Sequence, residues 1–508
     1  MKIRLLIFLL LFEPLVTVGF AFGTYPADVE IVLNKSGKNR PELEKAIRYF
    51  QQKKDPLKLK AIYFLITNMD IHYSSNYRWV DASNKEIPFN EFKYPNYKAA
   101  KLELAELKRI CPTMHPTYSK TSDVSSITGD FLIDNVERAF RVWRNSPIKN
   151  ISFNNFCEYI LPYRVSNEPL QSWRGIYQNK FQWVNGKIKE KGLEQTLEYV
   201  STDCRNWFKD TWGNIEHENS QTKVGPLTLL FRKEGECEEI AQLQAFTLRS
   251  QGVPVSLNII PFWATSTYSH SVNSVFNTND SFILYDASKT PSINKPIARE
   301  PSKVIRITYS KQPNTLASLV ASNKIPSGFM RLFNYVDITD KYWPTADVKC
   351  NLLQSNEKIA YISVFNGQRW SPTWWSRILN NSATFTSMAK GAVFLPGYYV
   401  NGKMVPAAYP IALGYNHQTT LKPDIVNRRD IILTEQDKYL KFRPGKWYRL
   451  LYWDNVWKTI AQKKAENNTT EMKFANVPRN ALLLLIPEYT KRLERPFMIT
   501  DDGKRVWW

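Results

Sequence analysis

The chain has 508 residues, 43% of them hydrophobic and 14% aromatic, and a formal net charge of +21 at pH 7. That length predicts more than one domain, and that apolar content is ample for real cores. The Lys and Arg residues are spread along the chain with no long basic block and no nucleic-acid motif. This excludes nucleic acid as the partner and leaves a generally basic surface, or attraction to an acidic glycan or envelope surface.

The N-terminus reads MKIRLLIFLLLFEPLVTVGFAFG, a basic start and a short apolar run broken at Glu13–Pro14, with small residues near Ala21 and Gly23. It predicts a secretory signal peptide over 1–23, because the uninterrupted run is too short to cross a bilayer. No later segment reads as a transmembrane helix. The expected protein is exported, to the periplasm, the outer cell surface or the medium.

Residues 24–180 are expected to be mostly helical. RPELEKAIRYFQQ, KLKAIYFLITNMDIHY and SDVSSITGDFLIDNVERAFRVWR carry helical apolar spacing, with Asp130 or a neighbour as a cap. His72 and His115 fall here without a partner that the sequence can name and read as structural. FCEYILPYR reads as a helix ending before Pro162, whose Glu158 and Arg164 are expected to brace this region against the next.

In EGECEEIAQLQAFTLRSQGVPV, Cys237 precedes Ile240, Ala241, Ala245 and Leu248 at helical spacing, with Gly252 and Pro254 as stop signals. A thiol at a helix N-terminus meets unpaired N–H groups and the positive end of the macrodipole, which favour a thiolate and an oxyanion. Glu236, Glu238 and Glu239 oppose that charge. On this helix alone Cys237 is either a nucleophile or a small buried apolar residue. Downstream, SHSVNSVF and SFILYDAS flank the turn-forming NTND and predict a β-hairpin. Pairing His270 with Asp286 centres it on residue 278 and sets the two side chains on one face. A cysteine, a histidine and an aspartate so placed have the logic of a thiol triad: base, nucleophile and orienting acid.

At these residues the chain resembles the transglutaminase-like branch of the papain-like cysteine enzymes. The resemblance rests on Gly-x-Cys on a helix, LRSQGVPV, and a His and an Asp on consecutive strands. NFCEYILPYRVSNEPLQSWR and the closing GKRVWW are similar to large secreted transglutaminase-domain proteins of Bacteroidetes-type bacteria. The resemblance implies Cys237 as nucleophile, His270 as base and Asp286 as orienting acid. One departure is Val272, where the family often has an aromatic residue.

That assigns residues 181–301 to a transglutaminase-like core. KVIRITYS and VDITDKYW are expected as strands after it, within a β-rich module over 302–425. A C-terminal β-sandwich module follows over 426–508, in which the Asp-Gly of FMITDDGKRVWW closes a hairpin. The fold class is therefore multidomain α+β. Trp447 and Trp453 alternate along one strand and are expected in its core. Trp374 and Trp375 of WSPTWW, and Trp263 before His270, are candidate substrate-binding residues.

The five cysteines, an odd number, leave at least one thiol unpaired; Cys111, Cys157, Cys204 and Cys350 are too irregularly spaced for a disulfide scaffold. With no CxxC pair or zinc-like Cys/His spacing, no metal or other cofactor is expected. Two functions follow. One is an exported cysteine acyl-transfer enzyme acting on a peptide, protein or glycopeptide amide. The other is a non-catalytic envelope protein whose retired core presents glycan- or protein-binding β modules.

Overall fold

The computed structural model describes residues 25–211, 223–288, 292–436 and 440–508. The expected signal peptide lies outside the described residues.

Helices Ala27–Lys35, Arg40–Gln52, Pro56–Thr67 and Gly129–Arg144 bury Val29, Leu33, Ile47, Phe50, Leu65 and Phe140 in one cluster. Their starts follow ordinary capping chemistry. Asp55 accepts from the Lys58 N–H at 3.2 Å just before Pro56. Thr128, not Asp130, accepts from the Phe131 N–H at 3.3 Å, while Asp130 pairs with Lys45 at 2.8 Å. One feature departs from the helical expectation. After Pro56–Thr67 the chain leaves the helix, and Tyr73–Val80 becomes the centre of a three-stranded antiparallel sheet with Glu86–Ile87 and His115–Ser122.

The segment from Phe153 to Arg174 ties this layer to the core. Arg164 and Asp123 form a sealed ion pair at 2.6 Å, joined by the Tyr163 hydroxyl at 2.8 Å. Arg174 donates to the carbonyls of Ile160, Leu161 and Pro162, at 2.6, 2.9 and 3.0 Å, where the Phe153–Tyr159 helix has run out of internal partners. Glu158 accepts from the backbone N–H groups of Tyr309 and Ser310, so it and Arg164 are braces. Removing one partner of such a buried pair costs about 3–5 kcal/mol.

The core is helix Cys237–Ser250 against a six-stranded antiparallel sheet. In spatial order the strands are Tyr335–Asp337, Ile305–Ile307, Val255–Ile260, His270–Phe276, Phe282–Asp286 and Ser292–Ile293. The sheet thus runs past Pro301 and takes in the two strands expected in the following module. The hairpin register also differs from expectation. Asn273 pairs with Tyr285 and Val275 with Ile283, a centre at 279, which places Asp286 diagonal to His270. The slip is two residues, so the shared face survives; a slip of one would have destroyed it.

Two antiparallel units follow. In the first, strands Thr345–Asn351 and Ser382–Ala389 pack over a larger sheet built on Ile359–Asn366 and Ala392–Val400, burying Val348, Phe385, Ile362 and Phe394. In the second, Asp424–Thr434 and Glu471–Arg479 pack over a sheet centred on Trp447–Asp454 and Leu483–Pro487. The Phe497–Ile499 and Arg505–Trp507 strands pair through a turn in which Gly503 takes φ +86°. The core reading of Trp447 needs correction: it is 42% exposed, whereas Trp453 is buried. Both lie on the same face of an unbroken strand, but only the Trp453 end is covered by the preceding β unit, in a cluster with Phe365, Val393 and Leu395.

Gly252 ends the central helix at φ +77°, and a Cβ there would lie 2.4 Å from the Val142 carbonyl oxygen. Gly445 has the same φ with open space around it. Gly445→Ala is therefore expected to cost ~1 kcal/mol from backbone conformation alone, and Gly252→Ala ~3 kcal/mol or more. Thermal unfolding of the two variants checks this, and equal losses would contradict it.

Candidate active site

The approach to Cys237 is set by a close backbone contact. Glu234–Gly235 pairs in parallel with Lys209–Asp210, and a Cβ on Gly235 would lie 2.5 Å from the Glu239 Cβ and 3.2 Å from the Phe208 ring. The glycine of Gly-x-Cys lets the strand turn directly into the helix. Cys237 is the first helical residue and is half-buried. Its own N–H and the next have no helical carbonyl to bond, which suits them to an oxyanion.

The three glutamates are disposed of individually. Glu239 reaches back to accept from the Glu236 N–H at 3.0 Å, a helix cap. Glu238 is held by Lys223 at 2.5 Å and by the Gln242 amide at 3.1 Å. Glu236, at the exposed N-cap, accepts in turn from the Glu239 N–H, the other half of the same capping box. Burial and the Glu238 charge also push the Glu239 carboxyl up from its ordinary value.

His270 Nε2 and Asp286 Oδ2 are 2.8 Å apart, with side chains 16% and 21% exposed. Cys237 lies within hydrogen-bonding reach of the same ring. With Nε2 engaged by the carboxylate, Nδ1 is the nitrogen left to exchange a proton with the thiol. Burial acts against a charged imidazole, but the Asp286 hydrogen bond and the adjacent Cys237 outweigh it and raise the His270 pKa to about 10. For Asp286 burial raises the pKa, yet the His270 contact and the Ser288 N–H at 3.0 Å outweigh it and hold the carboxyl below its ordinary value.

Trp263 joins this group. Its ring stacks on His270 with centroids 5.6 Å apart and planes inclined by 29°. Val272 is buried in a cluster with Ile260, Val304 and Tyr342, so the aromatic neighbour of the histidine comes from the preceding loop. Trp374 and Trp375 are elsewhere. WSPTWW is a strand, Arg369–Arg377, and a bulge opposite Ile362–Ser363 lets its tryptophans pack on different sides. Trp374 stacks on Phe329 at 6.4 Å and lies under the Lys303 ammonium at 4.3 Å, and Trp375 packs in the same cluster. His72 is buried, bonded to the Tyr309 carbonyl at 2.8 Å and held neutral by burial with a pKa of about 3. His115 is exposed on the His115–Ser122 strand. All five cysteines are free thiols. Among the described residues no group of three or more His, Cys, Asp and Glu side chains is placed to hold a metal ion.

The His270–Asp286 pair makes stability depend on pH. A histidine raised from 6.5 to about 10 contributes fully below pH 6.5 and loses that contribution as pH rises through about 10. The depressed Asp286 contributes above its unfolded value of 3.8 and loses that as pH falls through its folded value. Asp286→Asn is expected to destabilise the core by ~1.5–3 kcal/mol between pH 4 and 6.5, with the deficit shrinking towards pH 10. Unfolding midpoints across pH measure it; a deficit that grows with pH would contradict the pairing.

Residues 188–287 match the family model of the transglutaminase-like superfamily. No curated protein sequence matches the chain. A solved structure of red sea bream transglutaminase aligns over 87% of this chain and 77% of its own, at 8% identity and a TM-score of 0.20, too distant to carry an argument. The stretch that contains Cys237, His270 and Asp286 is thus a transglutaminase-like superfamily domain at residues 188–287, set in a chain of mixed helix and sheet.

Proposed function

We propose that the protein is an exported cysteine acyl-transfer enzyme that hydrolyses peptide or glycopeptide amides through Cys237, His270 and Asp286. One observation carries this reading: a single imidazole is bonded to Asp286 at 2.8 Å and lies within reach of a thiol at a helix N-terminus. Export rests on the sequence of residues 1–23, and a protein-type substrate is what the domain suggests.

In the proposed reaction His270 takes the Cys237 proton and the sulfur attacks the amide carbonyl carbon. The N–H groups at the helix start hold the oxyanion. As the C–N bond breaks, His270 protonates the leaving amine and a thioester remains. Water then loses a proton to His270, attacks the thioester carbonyl and releases a carboxylic acid with the thiol restored. Asp286 keeps the ring oriented and stabilises the imidazolium in both halves. Water as acceptor needs no dedicated amine site, which favours hydrolysis over cross-linking.

The test is iodoacetamide alkylation of the mature protein at neutral pH, read residue by residue by mass spectrometry, with the half-buried Cys111 as internal reference. Cys237 is expected to react at least ~10-fold faster than Cys111 and to lose that advantage in His270→Ala. A Cys237 that is silent, or indifferent to His270, would replace this reading with a non-catalytic core that presents binding modules.

A further inference from the structure

The loop between strands Val255–Ile260 and His270–Phe276 belongs by sequence to the core but is held by the β unit that follows. Asn366, the last residue of strand Ile359–Asn366, is 4% exposed, and its Nδ2 points at three carbonyls of that loop. These are Trp263 and Ser266 at 2.9 Å and Tyr268 at 3.2 Å. Three acceptors around one amide nitrogen can be met only by a donor, so the amide end is chemically specified. Ala264, from the same loop, is buried in the β unit's own cluster with Val348, Ile362 and Phe394. Thr265 donates to Glu300 at 2.6 Å, and the Trp263 N–H closes the loop on the Tyr268 carbonyl at 3.1 Å.

What this loop carries is the Trp263 ring that stacks on His270. Its last turn is under conformational load: Tyr268, two residues before the histidine, sits at φ +68°. Asp286 fixes one nitrogen of the imidazole but leaves the ring free to tilt about that bond. A flat indole against its face removes the tilt. The hold extends one module further, since Gln368, two residues beyond Asn366, donates to Thr490 Oγ1 at 2.8 Å.

We propose that Asn366 is a positioning residue for His270: from the β unit it fixes the Trp263–Tyr268 loop so that the indole holds the imidazole in line with both Cys237 and Asp286. This inference rests on the reading of those three residues as the reacting set. It gives the attached β unit a role in the reaction without a ligand of its own. Displacements of about 1 Å in a reacting group are enough to cost orders of magnitude in rate.

The experiment measures Cys237 alkylation by iodoacetamide against pH in Asn366→Asp, which keeps the shape and removes the donor, and in Trp263→Ala and Trp263→Phe. The control is Asn480→Asp, because Asn480 also bridges two carbonyls, of Thr420 and Lys422 at 3.1 and 3.0 Å, but far from His270 along the fold. Asn366→Asp and Trp263→Ala are expected to slow alkylation at neutral pH ~10-fold and to shift the profile towards that of His270→Ala. Trp263→Phe, which retains a stacking ring, is expected to restore most of the rate, and Asn480→Asp to leave it unchanged. Wild-type rates and profiles in folded Asn366→Asp and Trp263→Ala, beside a slow His270→Ala, would overturn the positioning role and leave the triad standing. If Asn366→Asp does not fold, the two Trp263 variants decide alone: equal rates in both would overturn it. A His270→Ala variant as fast as wild type would overturn the triad reading and this inference with it.

Discussion

Helix Cys237–Ser250 is buried continuously from Ile240 to Ser250, and the arrangement of the core follows from that enclosure. A helix sealed on all sides must satisfy its polar residues internally, because an unpaired buried group costs ~1–3 kcal/mol. The neighbours supply partners. Arg249 donates to the Val255 carbonyl at 3.0 Å and the Arg164 carbonyl at 2.7 Å, and the Tyr285 hydroxyl lies 3.3 Å from Gln244 and 2.8 Å from Ser201. The N-terminal layer, the sheet and the helix are thereby fixed to one another. Only the first turn of the helix reaches the surface, and that turn carries Cys237.

At that turn the electrostatics are a contest between the helix end and three carboxylates. The outcome is set by partners: Glu236 and Glu239 cap the backbone reciprocally, and Glu238 is bound by Lys223. The positive end of the helix is left to act on the sulfur together with His270. The acidic cluster that reads as an obstacle in the sequence is structural in the fold.

Much of this was legible in the sequence, for identifiable reasons. The helix, its Gly252 stop and the shared face of His270 and Asp286 follow from local spacing, since faces repeat every two residues whatever the loop length. The hairpin centre was not legible, because the turn beginning at Asn277 closes on Ser281 and the loop sequence does not select that. The Tyr73–Val80 strand was hidden by weak alternation, and the different fates of Trp447 and Trp453 by a cover that comes from Phe365, Val393 and Leu395, far away in sequence. The disarming of Glu238 and the clamp on the Trp263 loop depend on contacts across 15 and 103 residues of chain. Spacing arguments do not reach that far.

The central claim is that Cys237, His270 and Asp286 form one proton-sharing unit. The most direct measurement is a 15N NMR titration of the imidazole nitrogens, with His270 assigned by its loss in His270→Ala. The account predicts a His270 ring protonated on both nitrogens through neutral pH, giving up a proton only near pH 10, and a lower midpoint when Cys237 is replaced by Ala. A ring that titrates near 6.5 and ignores the Cys237 replacement would contradict it.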